Sequence, residues 1–303
     1  MLLLCTPPEG EIGETIEPGP HRMRASLQLA FARDNALGET TLTFSHQEPP
    51  LRVLRAFHPE KNAALAHLLN VSGGLFGGDD LTLKVHVGKG AQAQLTTTGA
   101  TRVYRCGLHN APTRQHNEFT VAESAVLEYV PDAIIPFAGA NFYQRTDVRL
   151  SDNAGLFWWE ILAPGREASD EVFAFERVEM HSQILAYDEL ISIDRIRLEP
   201  GKKPLAVPGR MGRYRYSGTF YICKVGADPQ IWLDLERQLR ATISDLQALD
   251  ETLWGFSTLK AHGLIIRCLA KQGRDVIAGL HGLWDAGKFA LYGHHAVRPR
   301  KMH

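Results

Sequence analysis

Two carboxylates stand inside apolar runs. Asp132 lies between prolines in Tyr129-Val130-Pro131-Asp132-Ala133-Ile134-Ile135-Pro136-Phe137, and Glu160 interrupts Phe157-Trp158-Trp159-Glu160-Ile161-Leu162. A buried carboxylate must be paired, hydrogen-bonded or protonated. Three chemistries fit. Arg102, Arg145 or Arg166 could supply structural ion-pair partners. The two carboxylates could be a general acid/base pair. They could also be weak oxygen ligands along an internal polar path. Residue types alone leave these alternatives open.

A third candidate is the run Ser72-Gly73-Gly74-Leu75-Phe76-Gly77-Gly78-Asp79-Asp80, with four glycines in six positions. Such density implies positive φ or a close approach by something bulky. It is not a phosphate loop, because no Lys-Ser/Thr follows and the next element reads as a strand. It is either a wide connection into that strand or a turn that sets Asp79 or Asp80 at a functional point.

Other signatures fail. Gly282-Leu283-Trp284-Asp285-Ala286-Gly287-Lys288 matches a P-loop until Phe289, which stands where a magnesium-binding Ser/Thr is needed, and the segment reads as helix. There is no G-x-S-x-G elbow and no H-E-x-x-H pair. Cys106, His109 and His116 form the one compact Cys/His group, with no fourth ligand for a closed zinc site, and read as a solvated loop. His294, His295 and His303 lie in a tail that preorganises nothing. No metal site is secure.

The elements that position these residues are strands. Leu81, Leu83, Val85 and Val87 alternate with Thr82, Lys84 and His86. Leu27–Phe31 and Thr41–Phe44 alternate more weakly. Three segments share one pattern of strand, polar turn, small residue and second strand. The turns are Gly88-Lys89-Gly90, Ala122-Glu123-Ser124 and Ser151-Asp152-Asn153, followed by Ala91, Ala125 and Ala154. A unit recurring at roughly 30 residues predicts stacked β-coils or a sandwich of long strands, against the plainer reading of a hairpin meander.

The pattern changes near residue 228. Asp228-Pro229 is a helix start. Trp232, Leu235, Leu239, Ile243 and Leu246 then recur on one helical face. A strand at Leu264–Leu269 follows, and Asp275 can cap a second helix bearing Val276, Ile277, Leu280 and Trp284. We expect one domain over 1–303, with both helices within 228–290 and a mobile tail at 291–303. The fold class is mainly β: a β-helix-like stack of antiparallel and mixed strands with two late helices.

Composition narrows the class. The 303 residues hold 33 Lys+Arg against 34 Asp+Glu, so no global basic field draws nucleic acid or a membrane. Four cysteines without a CxxC pair read as reduced thiols, and no apolar run nears the ~18 residues that span a bilayer. Met1-Leu2-Leu3-Leu4-Cys5 lacks the basic start and the length of an export signal. A cytoplasmic protein is expected.

Several segments carry a resemblance. Leu69 to Asp79, Leu95 to Arg105, Tyr129 to Phe137, and Glu160-Ile161-Leu162 through Gly165-Arg166-Glu167 resemble, in order, four motifs of the urease accessory protein family UreD, also called UreH. A looser C-terminal pattern with Trp284 extends the match. The chain departs from the family at Gly99 (commonly Gln), Arg102 (commonly Lys) and Ala133 (commonly Pro), and Lys301 follows Pro299-Arg300 where an aromatic is frequent.

The resemblance implies a β-helix-like body with two helices and no catalytic residues. It implies a scaffold that binds urease apoprotein and the helical partner UreF, which recruits the GTPase UreG. Together these deliver nickel to a urease site built around a carbamylated lysine. No intrinsic cofactor is implied, only nickel in transit, with Asp79, Asp132 and Glu160 lining or flanking its path. Gly73, Gly74, Gly77, Gly78, Arg102, Tyr104 and Arg166 are the structural residues of the matched motifs. The helices and tail are the expected UreF-facing side. The reading from another class is a β-solenoid or sandwich hydrolase with Asp132 and Glu160 as its acid/base pair.

Overall fold

The computed structural model describes residues 23–34, 36–60, 62–107, 111–246 and 251–299. Cys5 and its leucines, His109 and His303 lie outside the described residues. The first strands are β1 (Arg24–Asp34), β2 (Glu39–Gln47), β3 (Leu51–Glu60), β4 (Ala63–Asn70), β5 (Asp80–Val87) and β6 (Gln92–Thr97). Then come β7 (Thr101–Val103), β8 (Thr113–Val121), β9 (Val126–Tyr129), β10 (Ile134–Pro136), β11 (Asn141–Leu150) and β12 (Gly155–Leu162). The last are β13 (Arg177–Ala186), β14 (Glu189–Leu198), β15 (Tyr216–Lys224), β16 (Thr252–Thr258) and β17 (Gly263–Ala270), with helices α1 (Pro229–Leu246) and α2 (Gly273–Tyr292).

The protein is mainly β, with two mixed sheets. One has the order β14-β13-β11-β8-β5-β1-β2, the other β16-β17-β15-β12-β9-β6-β4-β3, with β7 and β10 beside the second. The repeat seen in the sequence is the route between them. In each unit the first strand (β5, β8, β11) joins one sheet and the second (β6, β9, β12) joins the other. Equivalent strands stack in parallel. Hairpin partners would share a sheet, so the meander is excluded. Ala91, Ala125 and Ala154 are fully buried where the chain crosses, and Val126 N donates to Ala91 O and Gly155 N to Ala125 O. The crossing has room for a methyl group and little more.

Both helices cover the outer face of the larger sheet. Asp228 is the α1 cap, its Oδ1 accepting from Gln230 N at 2.8 Å, with Pro229 opening the helix. Trp232, Leu235, Leu239 and Ile243 are buried as their spacing requires. The second helix begins two residues before its expected cap. Gln272 holds the cap position without a side-chain bond, which leaves Asp275 in the first turn, and Ile277 faces outward. The P-loop look-alike lies inside α2, where Lys288 Nζ meets Glu128 Oε1 at 2.8 Å and Trp284 Nε1 donates to Glu128 Oε2 at 2.6 Å. That buried pair ties α2 to β9. No helix among the described residues is long and apolar enough to cross a membrane.

Candidate functional site

The space between the sheets is not uniformly apolar. One cluster there is built on Leu83, Phe119, Val148, Ile184, Tyr129, Trp158 and Tyr221. A second, toward the other strand ends, is built on Leu81, Phe142, Met180, Leu162 and Ile134. Register puts polar side chains between them. Gln115 pairs with Gln144, Asn117 with Thr146, Thr146 with Ser182, and Ser182 with Asp194, across four strands of the smaller sheet. On the facing sheet Glu160 pairs with Thr219.

These groups bond mainly to one another. Asn117 Nδ2 donates to Thr146 Oγ1 at 3.1 Å, and both residues are essentially inaccessible. Gln144 Nε2 donates to Glu160 Oε1 across the gap. Ser182 Oγ lies 3.1 Å from Tyr221 Oη, which donates to Asp194 Oδ2 at 3.3 Å. Arg267, half-exposed, closes that end on Asp194 at 2.9 Å. Burying so many amides and hydroxyls costs roughly 1–3 kcal/mol for each group left unpaired, so an apolar row would be the cheaper core.

Asp132 and Glu160 meet here. Both line a pocket of about 20 Å³ with Thr101, Gln115, Asn117, Tyr129 and Gln144. That is room for one water or a bare ion. Asp132 is held by Thr97, whose Oγ1 donates to Asp132 Oδ2 at 3.0 Å and accepts from Asp132 N at 2.8 Å. Desolvation raises the Glu160 carboxyl to about 8, the Asp194 charge adds to the rise, and the Gln144 hydrogen bond opposes it in part. Desolvation also raises the Tyr129 phenol, with Glu160 contributing.

The expected arginine partners are engaged elsewhere. Arg145 pairs with Asp147, Arg166 with Glu171, and Arg102 reaches Gly73 O. The neighbour of Glu160 is therefore an amide rather than a guanidinium.

The polar row leads to a larger pocket of about 300 Å³, which shares Thr101, Gln115 and Tyr129 and is roofed by Gly73, Gly74 and Arg102. Gly73 sits at φ +79°, and a Cβ on Gly74 would stand 2.7 Å from Arg102 O and 2.5 Å from the Tyr104 ring. The glycines thus let the loop lie flat on β7. Tyr104 stacks on Phe76 at 4.7 Å and meets Phe137 edge-on at 4.9 Å, while Arg166 covers Phe137 at 4.3 Å. Phe76, Tyr104, Phe137 and Arg166, one from each of four separated motifs, thus pack in one stack against the glycine loop. Gly77 and Gly78, further along the same loop, are buried, Gly78 at φ +92°.

Asp79 is not part of the pocket lining. It is 1% exposed, its Oδ2 accepts from Phe76 N at 2.8 Å, and its carbonyl receives Arg114 N. Its position closes the glycine loop. Cys106 Sγ donates to Ala111 O, whereas His116 on β8 bonds Asp147. Among the described residues no three His, Cys, Asp or Glu side chains gather to hold a metal.

Sequence reading missed Gln115, Asn117, Gln144, Thr146, Ser182 and Asp194. A signal existed for four of them. Counting back in twos from Phe119 and from Val148 lands on Asn117 and Gln115, and on Thr146 and Gln144, all in core phase.

Fold and site together define a two-sheet β protein whose interior carries a row of oxygen and amide groups between two apolar clusters. A family model described as UreD urease accessory protein matches residues 23–303. The chain is 41% identical over 282 residues to the urease accessory protein UreD of Herpetosiphon aurantiacus, covering 93% of this chain and 97% of that protein. It is 32% identical over 278 residues to the protein of that name from Halalkalibacterium halodurans, covering 90% and 97%. A third, from Pseudomonas aeruginosa PAO1, is 33% identical over 278 residues, covering 91% and 93%. The chain belongs to the UreD family of urease accessory proteins. It is an accessory protein and not an enzyme, which sets aside the hydrolase reading. A pocket of about 20 Å³ is also far too small for a sugar ring between Asp132 and Glu160.

Proposed function

We propose that this chain is a cytoplasmic scaffold for urease maturation and that nickel, as cargo, passes along its interior polar row into urease apoprotein. The observation that carries this reading is the division of the core by Gln115, Asn117, Gln144, Thr146 and Glu160. Clustered imidazoles or thiolates would retain nickel. Amide and hydroxyl oxygens with spaced carboxylates bind it weakly enough to release it. Asp132 and Glu160 are the carboxyl stations, Glu160 giving up its proton when the cation arrives, and the pocket under the glycine loop is the entry.

In this reading the stacked strands form a β-helix-like body and present broad surfaces. UreF docks against one of them and brings UreG, and urease apoprotein takes another. The test is reconstitution. Purified urease apoprotein, UreF, UreG, GTP, bicarbonate and nickel are mixed with or without this chain, and urease activity is followed. Activation that needs the chain and falls in Glu160→Ala and Asp132→Ala supports the reading. Full activation without it would overturn the reading.

A further inference from the structure

A second concavity lies away from the polar row, at the end of β14. It has a volume of about 630 Å³ and is lined by Arg197, Leu198, Glu199, Lys203, Leu205, Arg210 and Met211. Leu205 and Met211 are buried and make an apolar floor, while Lys203 and Arg210 stand exposed on the rim.

The charge around it is one-sided. Arg177, Arg195, Arg197, Lys202, Lys203 and Arg210 gather around the carboxylates Glu179 and Glu199, while the carboxylate of Asp194, next to Arg195, is turned to Arg267 and Tyr221. Glu179 and Glu199 are the two that face this cluster. Both carboxylates are covered, with side chains 3% and 18% exposed, whereas those of Arg195, Arg197 and Lys202 are 60%, 44% and 73% exposed. The surface charge a visitor meets is therefore positive, although the whole chain is nearly neutral.

The guanidiniums are also held in place. Glu179 is bonded by Arg177, by Arg195 Nη2 at 2.8 Å and by His181 Nε2 at 2.7 Å. Burial alone would raise the Glu179 carboxyl, and these bonds overcome it and hold it down to about 2. Arg197 Nε donates to Glu199 Oε2 at 2.9 Å. Each guanidinium has five donors, so donors remain for an outside acceptor and little ordering entropy is left to lose on binding.

We propose that this basic concavity is a docking site for an acidic segment of a protein partner, one whose carboxylates meet the arginine rim and whose apolar side chain enters the Leu205–Met211 floor. A nucleic acid is the less suitable occupant, because the lining has no aromatic ring on which a base could stack. The proposal goes beyond the nickel reading and does not depend on it.

The test uses the purified full chain and a fluorescein-labelled peptide of alternating Glu and Leu, read by anisotropy. Saturable one-to-one binding is expected, weakened about tenfold in Lys203→Gln/Arg210→Gln and likewise by raising salt from about 50 to about 500 mM. The control Arg237→Gln/Arg240→Gln, on α1, should bind as wild type. An all-Glu peptide should bind more weakly, because the floor goes unfilled. No saturable binding, equal binding by the rim variant, or tighter binding of a single-stranded RNA oligonucleotide than of the Glu/Leu peptide would overturn the proposal. Circular dichroism of Lys203→Gln/Arg210→Gln checks that it is folded, and Arg197→Gln alone provides a second, milder rim variant expected to weaken binding in the same direction.

Discussion

Gln144 and Glu160 join the two sheets through the interior, the amide of one donating to the carboxyl of the other. The pair sits where the core changes from one apolar cluster to the next. A carboxyl pushed up to about 8 stays largely protonated at neutral pH, so the row carries less fixed charge than its composition suggests.

That position has a consequence for stability. In the native state Glu160 keeps a proton that the unfolded chain gives up near the ordinary glutamate value of about 4.3. Its contribution to stability is therefore greatest below that value, declines as pH rises to about 8, and is flat above. Glu160→Gln should remove this decline. Urea unfolding at pH 5 and pH 8.5 should show wild type losing more stability than the variant between the two, and equal losses would contradict the assignment.

Asp79 and Asp132 should separate by mechanism. Asp132→Ala removes a group that lines the pocket and should lower nickel-dependent activation with little change in melting temperature. Asp79→Ala leaves Phe76 N without its acceptor in a buried loop and should destabilise by about 1–3 kcal/mol. Thermal unfolding followed by circular dichroism, run beside the activation assay, distinguishes the two. Asp79→Ala that melts like wild type would return Asp79 to the path.

Much of this fold was legible because side-chain alternation is strict. Leu81 to Val87, the three turns and the alanines after them marked the units, and Asp228-Pro229 marked α1. What stayed hidden was long-range. Alternation does not reveal that β5 and β6 part into different sheets, nor that Asn117 and Thr146 become partners 29 residues apart. A polar residue in core phase reads locally as a weak strand and acquires meaning only beside its neighbours. Glu160 and Asp132 stood out because apolar sequence surrounds them, whereas Gln144 lies among Tyr143, Arg145 and Asp147 and attracts no notice.

The α2 anchor gives a large expected effect. Lys288→Met strands Glu128 in the core, and removing one partner of a buried pair typically costs about 3–5 kcal/mol. The double variant Glu128→Leu/Lys288→Met should be less destabilised than Lys288→Met alone, since no charge is then left unpaired. Denaturant midpoints of the three proteins check this, and a double variant weaker than the single would refute it.

Gly74 and Gly99 make a matched pair. Alanine at 74 meets the Arg102 carbonyl and the Tyr104 ring, so the loop must lift, at a cost of about 1–3 kcal/mol. Alanine at 99 meets nothing within 4 Å and should be near neutral. Both can be read from melting temperature, and equal shifts would argue against a loop seated on β7.

Whether the interior row serves urease maturation is decided by activating urease apoprotein with nickel in the presence of UreF, UreG and either wild-type chain or Glu160→Ala, with binding of each chain to the apoprotein measured alongside. Equal binding and a several-fold slower gain of urease activity with the variant are expected. Equal binding with an undiminished rate would remove the row from the pathway.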